Sequence, residues 1–242
     1  MRGIRAKAAR LGLSAEAISK AAGAAIADVA RAVAAARDPG RLLPIFVLAG
    51  SDRDAVYGLE AALELANGER RIVVALCGSK ARPEHATAAG AWDRLESANR
   101  VERYRIPNMR ESAHFRAGLE EVAVLIESLG GAPSNAAPQV PLLAGIDLLR
   151  RARLVGVPCV AANGPIGLDP DSGARRRGAP GADISVLSNC NDKTKAATAA
   201  AAASGLLRWE GLIRRARQLP LGFRSVPPEL RRAVASMQPS DA

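Results

Sequence analysis

The stretch with the most chemical potential is "VAANGPIGLDPDSGA", residues 160–174. An apolar run ends at Asn163, and a glycine- and proline-rich turn with two aspartates, Asp169 and Asp171, follows it. This order is typical of a buried strand that opens onto a functional loop. A carboxylate at such a place exchanges protons, whereas the amide of Asn163 only donates and accepts hydrogen bonds near neutral pH. The stretch is therefore either a working site or one whose chemistry has been removed.

A second loop, "GSDRDAVYG", has glycine only at its ends, Gly50 and Gly58. Loops that cradle phosphate depend on glycine, because a Cβ keeps the backbone N–H groups away from the oxygens. Arg53 would attract an anion, but Asp52 and Asp54 oppose it. The composition predicts a polar connecting loop rather than a phosphate cradle.

Arginine is clustered along the chain, and the formal net charge is +10. The triplet Arg175, Arg176 and Arg177 follows Asn163 in the same loop, where guanidinium groups would bind the phosphates of a nucleotide or of RNA. Aromatic residues are only 3% of the chain and do not alternate with the arginines, so no base-stacking platform is indicated. A solvated, arginine-rich surface explains the same charge.

Alternating apolar and amphipathic segments predict the elements that position these loops. The first, from Leu11 to Arg37, has the apolar spacing of one N-terminal helix. Six apolar runs are expected to be strands: 41–50, 71–78, 101–107, 122–130, 156–164 and 182–188. The intervening segments 57–68, 83–97 and 140–156 are long enough for crossover helices. Residues 194–218 are alanine-rich and then basic, and are expected to be partly helical.

This order of elements predicts an α/β fold, a Rossmann-like three-layer αβα sandwich with a mostly parallel sheet. We expect one domain over residues 1–222 and a basic C-terminal tail over 223–242. Ligands of such folds lie at the carboxyl ends of the strands. The loops after the strands should therefore share one rim.

Composition narrows the class of protein further. No apolar stretch is long enough to span a membrane, and no leader peptide is recognisable, so a cytoplasmic protein without a membrane partner is expected. Cys77, Cys159 and Cys190 are odd in number and widely spaced, which indicates neither disulfides nor a metal site. Cys77 and Cys159 lie in apolar runs and are expected in the core.

Several motifs, in this order, resemble the YjeF N-terminal domain family, whose best-known members are NAD(P)H-hydrate epimerases. "GLSAEAISKAAG" is similar to the opening GIxxxxLMENAG, "GSDRDAVYGLEAALEL" to the glycine-rich loop GxGNNGGDGLVAARHL, and "ESLGGAP" to DALxGxG. "NGPIGLDPDSG" resembles DxPSGxDxDTG, and "ADISVLSNCNDK" resembles a strand that starts as ADxT and leads to a lysine. The resemblance covers most of residues 11–222.

The resemblance implies roles for individual positions. Asn163 stands where the epimerases have their catalytic aspartate, and Glu127 where they have an aspartate near a monovalent cation. Tyr57 and Ile166 replace small or polar residues of the enzymes' pocket. The positions that the resemblance assigns to ligand binding are Gly50, Arg53, Asp54, Gly58, Glu127, Gly131, Pro165, Gly167 and Lys193.

These departures favour a catalytically degenerate, epimerase-like domain that forms a homodimer and binds a nucleotide or RNA. Because the partners of Glu127 have changed, a monovalent cation is not predicted; NAD(P)H hydrate or another nucleotide stays open as the ligand. One alternative is an active epimerase that uses another acid or base, such as Asp169, Asp171, Lys193 or Lys195. A structural subunit of a basic assembly is the other.

Overall fold

The computed structural model describes residues 14–115, 118–130, 140–167, 179–187, 205–210 and 216–218. All six predicted strands are confirmed: β1 Ile45–Ala49, β2 Ile72–Leu76, β3 Val101–Arg105, β4 Val124–Ser128, β5 Cys159–Ala162 and β6 Ile184–Leu187. They pair in parallel in the order β3-β2-β1-β4-β5-β6. The chain is thus a Rossmann-like α/β protein, as its sequence predicts.

The described residues include five α-helices. The first, α1 Ala15–Arg37, precedes β1, and the other four lie between strands: α2 Ala55–Leu65, α3 Ala86–Arg94, the short α4 Met109–Ser112, and α5 Leu142–Leu154. Two 3₁₀ turns, Ala113–Phe115 and Leu119–Glu121, precede β4. The N-terminal helix begins at Ala15 because Ser14 is extended and its hydroxyl accepts a hydrogen bond from the N–H of Ala17 at 3.0 Å.

In the segment 194–218, which the sequence predicts to be partly helical, the described residues 205–210 and 216–218 form strands, and the rest of the segment lies outside the described residues. Gly205–Glu210 forms β7, parallel to β6, and Ala216–Gln218 forms β8, antiparallel to β7. The unpaired backbone groups along the outer side of β6 offer a ladder to the following segment. Gly205–Glu210 lies after the alanine-rich run and contains no alanine, and pairing with that ladder makes it a strand.

The core has two halves, one on each face of the sheet. Alternate β1 residues separate them: Ile45 and Val47 face the half formed with α1, α2 and α3, whereas Phe46 and Leu48 face the half formed with α5. Cys77 and Cys159 are buried in the second half, as predicted. Small side chains let the layers approach closely, so a chain with few aromatic residues still fills its interior.

Arginine–carboxylate clamps close the amino edge, which is the side of the sheet where its parallel strands begin. Arg70 bonds Asp38 at 2.6 Å and the carbonyl oxygens of Leu43 and Ala34 at 2.9 and 3.2 Å. Asp183 accepts from Arg153 at 2.9 Å and from the N–H of Cys159 at 2.7 Å. These contacts join the ends of helices to the starts of strands, which makes their role structural.

Among the described residues, no helix combines the length and apolar character that crossing a membrane requires.

Candidate functional site

The candidate site lies at the carboxyl rim, the side of the sheet where the parallel strands end. The strand order reverses between β1 and β4, since β2 and β3 lie on one side of β1 and the later strands lie on the other. Ligand crevices of doubly wound sheets form at this switch point. The loops that bound it are 50–54, after β1, and 129–130, after β4.

The two glycines of the first loop serve close packing. A Cβ on Gly50 would lie 2.3 Å from the carbonyl oxygen of Leu129, and the N–H of Gly50 donates to the carbonyl of Ser128 at 2.9 Å. Gly58 brings α2 against β4, where its N–H donates to Ser128 Oγ at 3.0 Å. Both glycines are therefore explained by close packing between the two sides of the switch point. Neither contact indicates phosphate binding.

Asp52 occupies the space between the two loops. A Cβ on Gly130, whose φ is 91°, would lie 2.2 Å from Asp52 Oδ2, and the N–H of Asp54 donates to Asp52 Oδ1 at 3.0 Å. Although the residue as a whole is exposed, its carboxylate packs against the Gly130 backbone. Burial of the carboxyl raises the pKa of Asp52, and the charge of Asp54 adds to this, against the opposing backbone N–H groups of Asp54 and Ala55.

Arg53 and Asp54 lie at the outer side of the same loop. Arg53 is exposed, and its Nε is 3.8 Å from Asp54 Oδ1. Asp54 precedes α2, but its side chain makes no capping bond; its carbonyl accepts from Ser128 Oγ at 2.9 Å. Of the two, Arg53 is better placed to meet a ligand from solvent.

Glu127 links the β4 loop to the β5 loop from beneath. Its side chain is only 1% exposed, with Oε1 accepting from the N–H of Leu129 and Oε2 from the N–H of Ile166, both at 3.0 Å. Burial raises the pKa of Glu127 to about 7, although both N–H groups favour its charged form; Asp52 raises it further. Both carboxylate oxygens of Glu127 are therefore engaged in hydrogen bonds from backbone N–H groups.

Asn163 follows β5 in a turn that the backbone fixes. Its φ is 65°, in the left-handed region that asparagine tolerates better than most residues, and its N–H donates to the carbonyl of Val186 at 2.8 Å. Gly164 and Gly167 have φ values of 102° and 80°. With the half-buried Pro165, they complete a turn whose course depends on glycine.

Tyr57 and Ile166 are buried on opposite faces of the sheet. Tyr57 packs in the core half with α1, and Ile166 packs in the half with α5; they are 3% and 7% exposed. The two side chains therefore do not fill one common pocket.

The structure brings the predicted positions Gly50, Asp54, Pro165 and Gly167 together on the rim loops, with Gly58 in α2 and Glu127 in β4 packed against these loops and Arg53 at their margin. Gly131, Lys193 and the triplet Arg175, Arg176 and Arg177 lie outside the described residues, as do Asp169, Asp171 and Lys195. From the sequence, Asp52 was interpreted only as a negative charge that opposes anion binding, and its place in the site was not predicted. Its signal, an aspartate two residues before a helix N-cap, gives no information on the contact with Gly130.

The fold defines a doubly wound α/β domain whose strand order reverses between β1 and β4. The family model of the YjeF-related protein N-terminus matches residues 15–206, so the chain belongs to this family. Among solved structures, the yeast protein YNL200c (ynu0) has the same fold, with a TM-score of 0.65, 17% identity, and coverage of 85% of this chain and 83% of the yeast chain. No curated protein sequence gives a significant match.

Proposed function

We propose that this chain is an epimerase-like domain that has lost the epimerase reaction and acts by binding a nucleotide or RNA. The proposal combines family membership with the residue that stands at the centre of the rim turn. NAD(P)H-hydrate epimerisation needs a group that takes a proton from the substrate and returns one. Asn163, at the position of the catalytic aspartate in the family motif, has no proton to exchange near neutral pH.

The fixed backbone at Asn163 is the observation that carries this proposal. The bond from its N–H to Val186 and its left-handed φ leave the residue in a defined turn. A rim turn of defined shape that carries an amide, at the position where the family motif has an acid, supports the proposal. Of the described neighbours, Glu127 is a poor substitute, because each of its oxygens already accepts a backbone N–H.

The ligand class follows from charge. A net charge of +10 raises the local concentration of polyanions and accelerates their association. The triplet Arg175, Arg176 and Arg177 supplies the most concentrated charge in the Asn163 loop. A homodimer in the cytoplasm is part of this proposal.

Fluorescence anisotropy with a labelled single-stranded RNA tests the binding role. The test variant removes the triplet: Arg175→Ser/Arg176→Ser/Arg177→Ser. The control variant loses the same number of positive charges at three well-exposed arginines elsewhere: Arg41→Ser/Arg71→Ser/Arg82→Ser. We expect the triplet variant to bind more weakly and its log–log salt slope to fall by about 0.7 for each lost phosphate contact. Equal losses in both variants, or none in either, would show that the triplet is no RNA site.

One observation favours the alternative of an active isomerase. Asp52 is a rim carboxyl with a raised pKa and no ion pair among the residues that the structure describes, which are properties of a general acid or base. If the native protein accelerates epimerisation of hydrated NADH, Asp52→Asn should abolish the acceleration. Activity that survives this change would point to an acid or base elsewhere.

A further inference from the structure

An open cavity of about 340 Å³ lies at the amino edge, on the face of the sheet that α5 covers. Its floor is formed by Phe46 and Val73, which are neighbours in register on β1 and β2. Phe115 stacks on Phe46, with 5.7 Å between the ring centroids and 15° between the ring planes. Leu42 also lines the cavity and is 86% exposed. The cavity therefore has an apolar floor and opens to solvent.

Two more exposed apolar side chains lie beyond the cavity along the same edge. Leu154 and Val155, at the end of α5, are 86% and 47% exposed. Arg37 connects this point to the wall of the cavity, because it donates to the carbonyl of Gly156 at 2.6 Å and to that of Glu120 at 3.3 Å. Together with the cavity, these side chains form a surface that we call the amino-edge strip. Exposed apolar surface gathered in one region is typical of a place that another segment covers.

The amino-edge strip carries negative charge that the described residues do not neutralise. Glu120 and Glu121 are exposed, and neither forms an ion pair within the described part of the chain. Glu121 lines the cavity. Arg71, at the same opening, is already bonded to Glu102 at 3.0 Å. The whole chain, in contrast, has a formal net charge of +10. A partner that fits the strip therefore combines apolar side chains with positive charge.

The chain leaves the sheet at this same edge. Because β8 runs antiparallel to β7, it ends at the amino edge, with Gln218. Five strand spacings separate β8 from β1, which is about 24 Å. The twelve residues from Gln218 to Leu230 reach up to about 40 Å when extended. The C-terminal tail is thus long enough to reach the amino-edge strip.

The sequence of the tail has the two properties that the strip requires. The tail lies outside the described residues. Its stretch "PELRRAVASM", residues 228–237, has Leu230, Val234 and Met237 at the i, i+4, i+7 spacing of one helix side. Arg231 follows Leu230 at the border of that side, and the stretch has two arginines against one glutamate. Apolar side chains and a net positive charge are therefore combined in one segment of this chain.

We propose that residues 228–237 bind the amino-edge strip of their own chain. Leu230, Val234 and Met237 cover its apolar side chains, and Arg231 faces Glu121. Because the segment is attached to the sheet through β8, its effective concentration at the strip is high, and a weak contact suffices. The strip lies at the end of the sheet opposite the carboxyl rim, so this contact does not involve the candidate ligand site.

Hydrogen exchange of the whole chain, followed by mass spectrometry, tests this inference. The variant Leu230→Asp/Val234→Asp removes the apolar contacts, and Ala235→Asp/Ser236→Asp is the control, which adds the same two charges on the other side of the segment. We expect the amides of residues 113–122 to exchange at least about threefold faster in the first variant than in the native protein, because their cover is lost. The control variant should exchange as the native protein does, and β4 should stay equally protected in all three.

A charge reversal tests the contact between Arg231 and Glu121. Arg231→Glu and Glu121→Arg should each accelerate exchange at 113–122 about twofold, and the double variant should recover the native rate because opposite charges face each other again. Additive acceleration in the double variant would refute this contact. Equal exchange in the native protein and Leu230→Asp/Val234→Asp would overturn the inference, as would equal acceleration in the control. Protection that increases with protein concentration would also overturn it, by showing that a second copy covers the strip.

Discussion

The carboxylates at the two ends of the sheet are held in different ways. At the amino edge, Asp38 and Asp183 each bond an arginine, Arg70 at 2.6 Å and Arg153 at 2.9 Å. At the carboxyl rim, Asp52 and Glu127 accept backbone N–H groups, and no described cation forms an ion pair with either.

The pKa directions follow this difference. The N–H of Leu43, and then Arg70, lower the pKa of Asp38, whereas burial raises the pKa of both Glu127 and Asp52. The amino edge therefore neutralises its charges and stabilises the fold. The rim keeps uncompensated carboxyl groups at the end of the sheet where α/β proteins bind ligands.

Removal of Arg70 is expected to have the largest effect on stability. Arg70→Met leaves the Asp38 carboxylate and the carbonyls of Leu43 and Ala34 without their donor, in a site where both charged side chains are about one-tenth exposed. We expect the free energy of unfolding, measured with urea, to fall more than for any other substitution in this series.

The adjacent arginine provides the control for that change. Arg71 pairs with Glu102 on the surface at 3.0 Å, so Arg71→Met should cost less than about 1 kcal/mol. If the two variants lose equal stability, the amino-edge clamp has no special role and the contrast with the rim fails.

Glu127 should make the protein less stable as the pH rises. The carboxyl has a pKa of about 7 in the fold against 4.5 in its unperturbed state, so the folded protein binds the extra proton between these values. Relative to Glu127→Gln, the native protein should lose about 3 kcal/mol of unfolding free energy between pH 4.5 and 7, and little more above that. Urea unfolding at several pH values measures the difference. If the unfolding free energies of the two proteins change with pH in the same way, burial does not raise the pKa of Glu127.

Gly50→Ala tests how tightly the switch point is packed. Its Cβ would meet the Leu129 carbonyl, which belongs to the backbone and cannot rotate away, so we expect a loss of about 2 kcal/mol. Gly90→Ala is the matched control, because a Cβ in that part of α3 meets no atom within 4 Å. That change should stabilise the helix by about 0.8 kcal/mol. If Gly50→Ala also causes no loss of unfolding free energy, the two loops are free to separate.

The sequence predicted the strands better than the site because strand signals are local. Apolar runs and the helices between them specify the parallel sheet. β7 was missed because what makes it a strand is its pairing with the open edge of β6, which the local sequence does not show. The seat of Asp52 against Gly130 and the bonds from Glu127 to Leu129 and Ile166 depend on how loops from different strands meet. Such contacts leave no spacing pattern in the chain.

The role of the Asn163 position, in contrast, could be predicted from the sequence, because the family motif aligns it with the catalytic aspartate of the epimerases. Its left-handed φ and its bond to Val186 are additions from the structure. That Asn163 replaces a catalytic acid stays a prediction from the motif.

Epimerisation of hydrated NADH, followed by proton NMR, tests the loss of the reaction most directly. The native protein and Asn163→Asp are each compared with buffer alone, since the question is whether either accelerates the exchange of the two epimers. Our account predicts that the native protein leaves the exchange at its spontaneous rate. Acceleration by the native protein would contradict it and would return the search for the acid or base to the rim carboxyls, with Asp52 first.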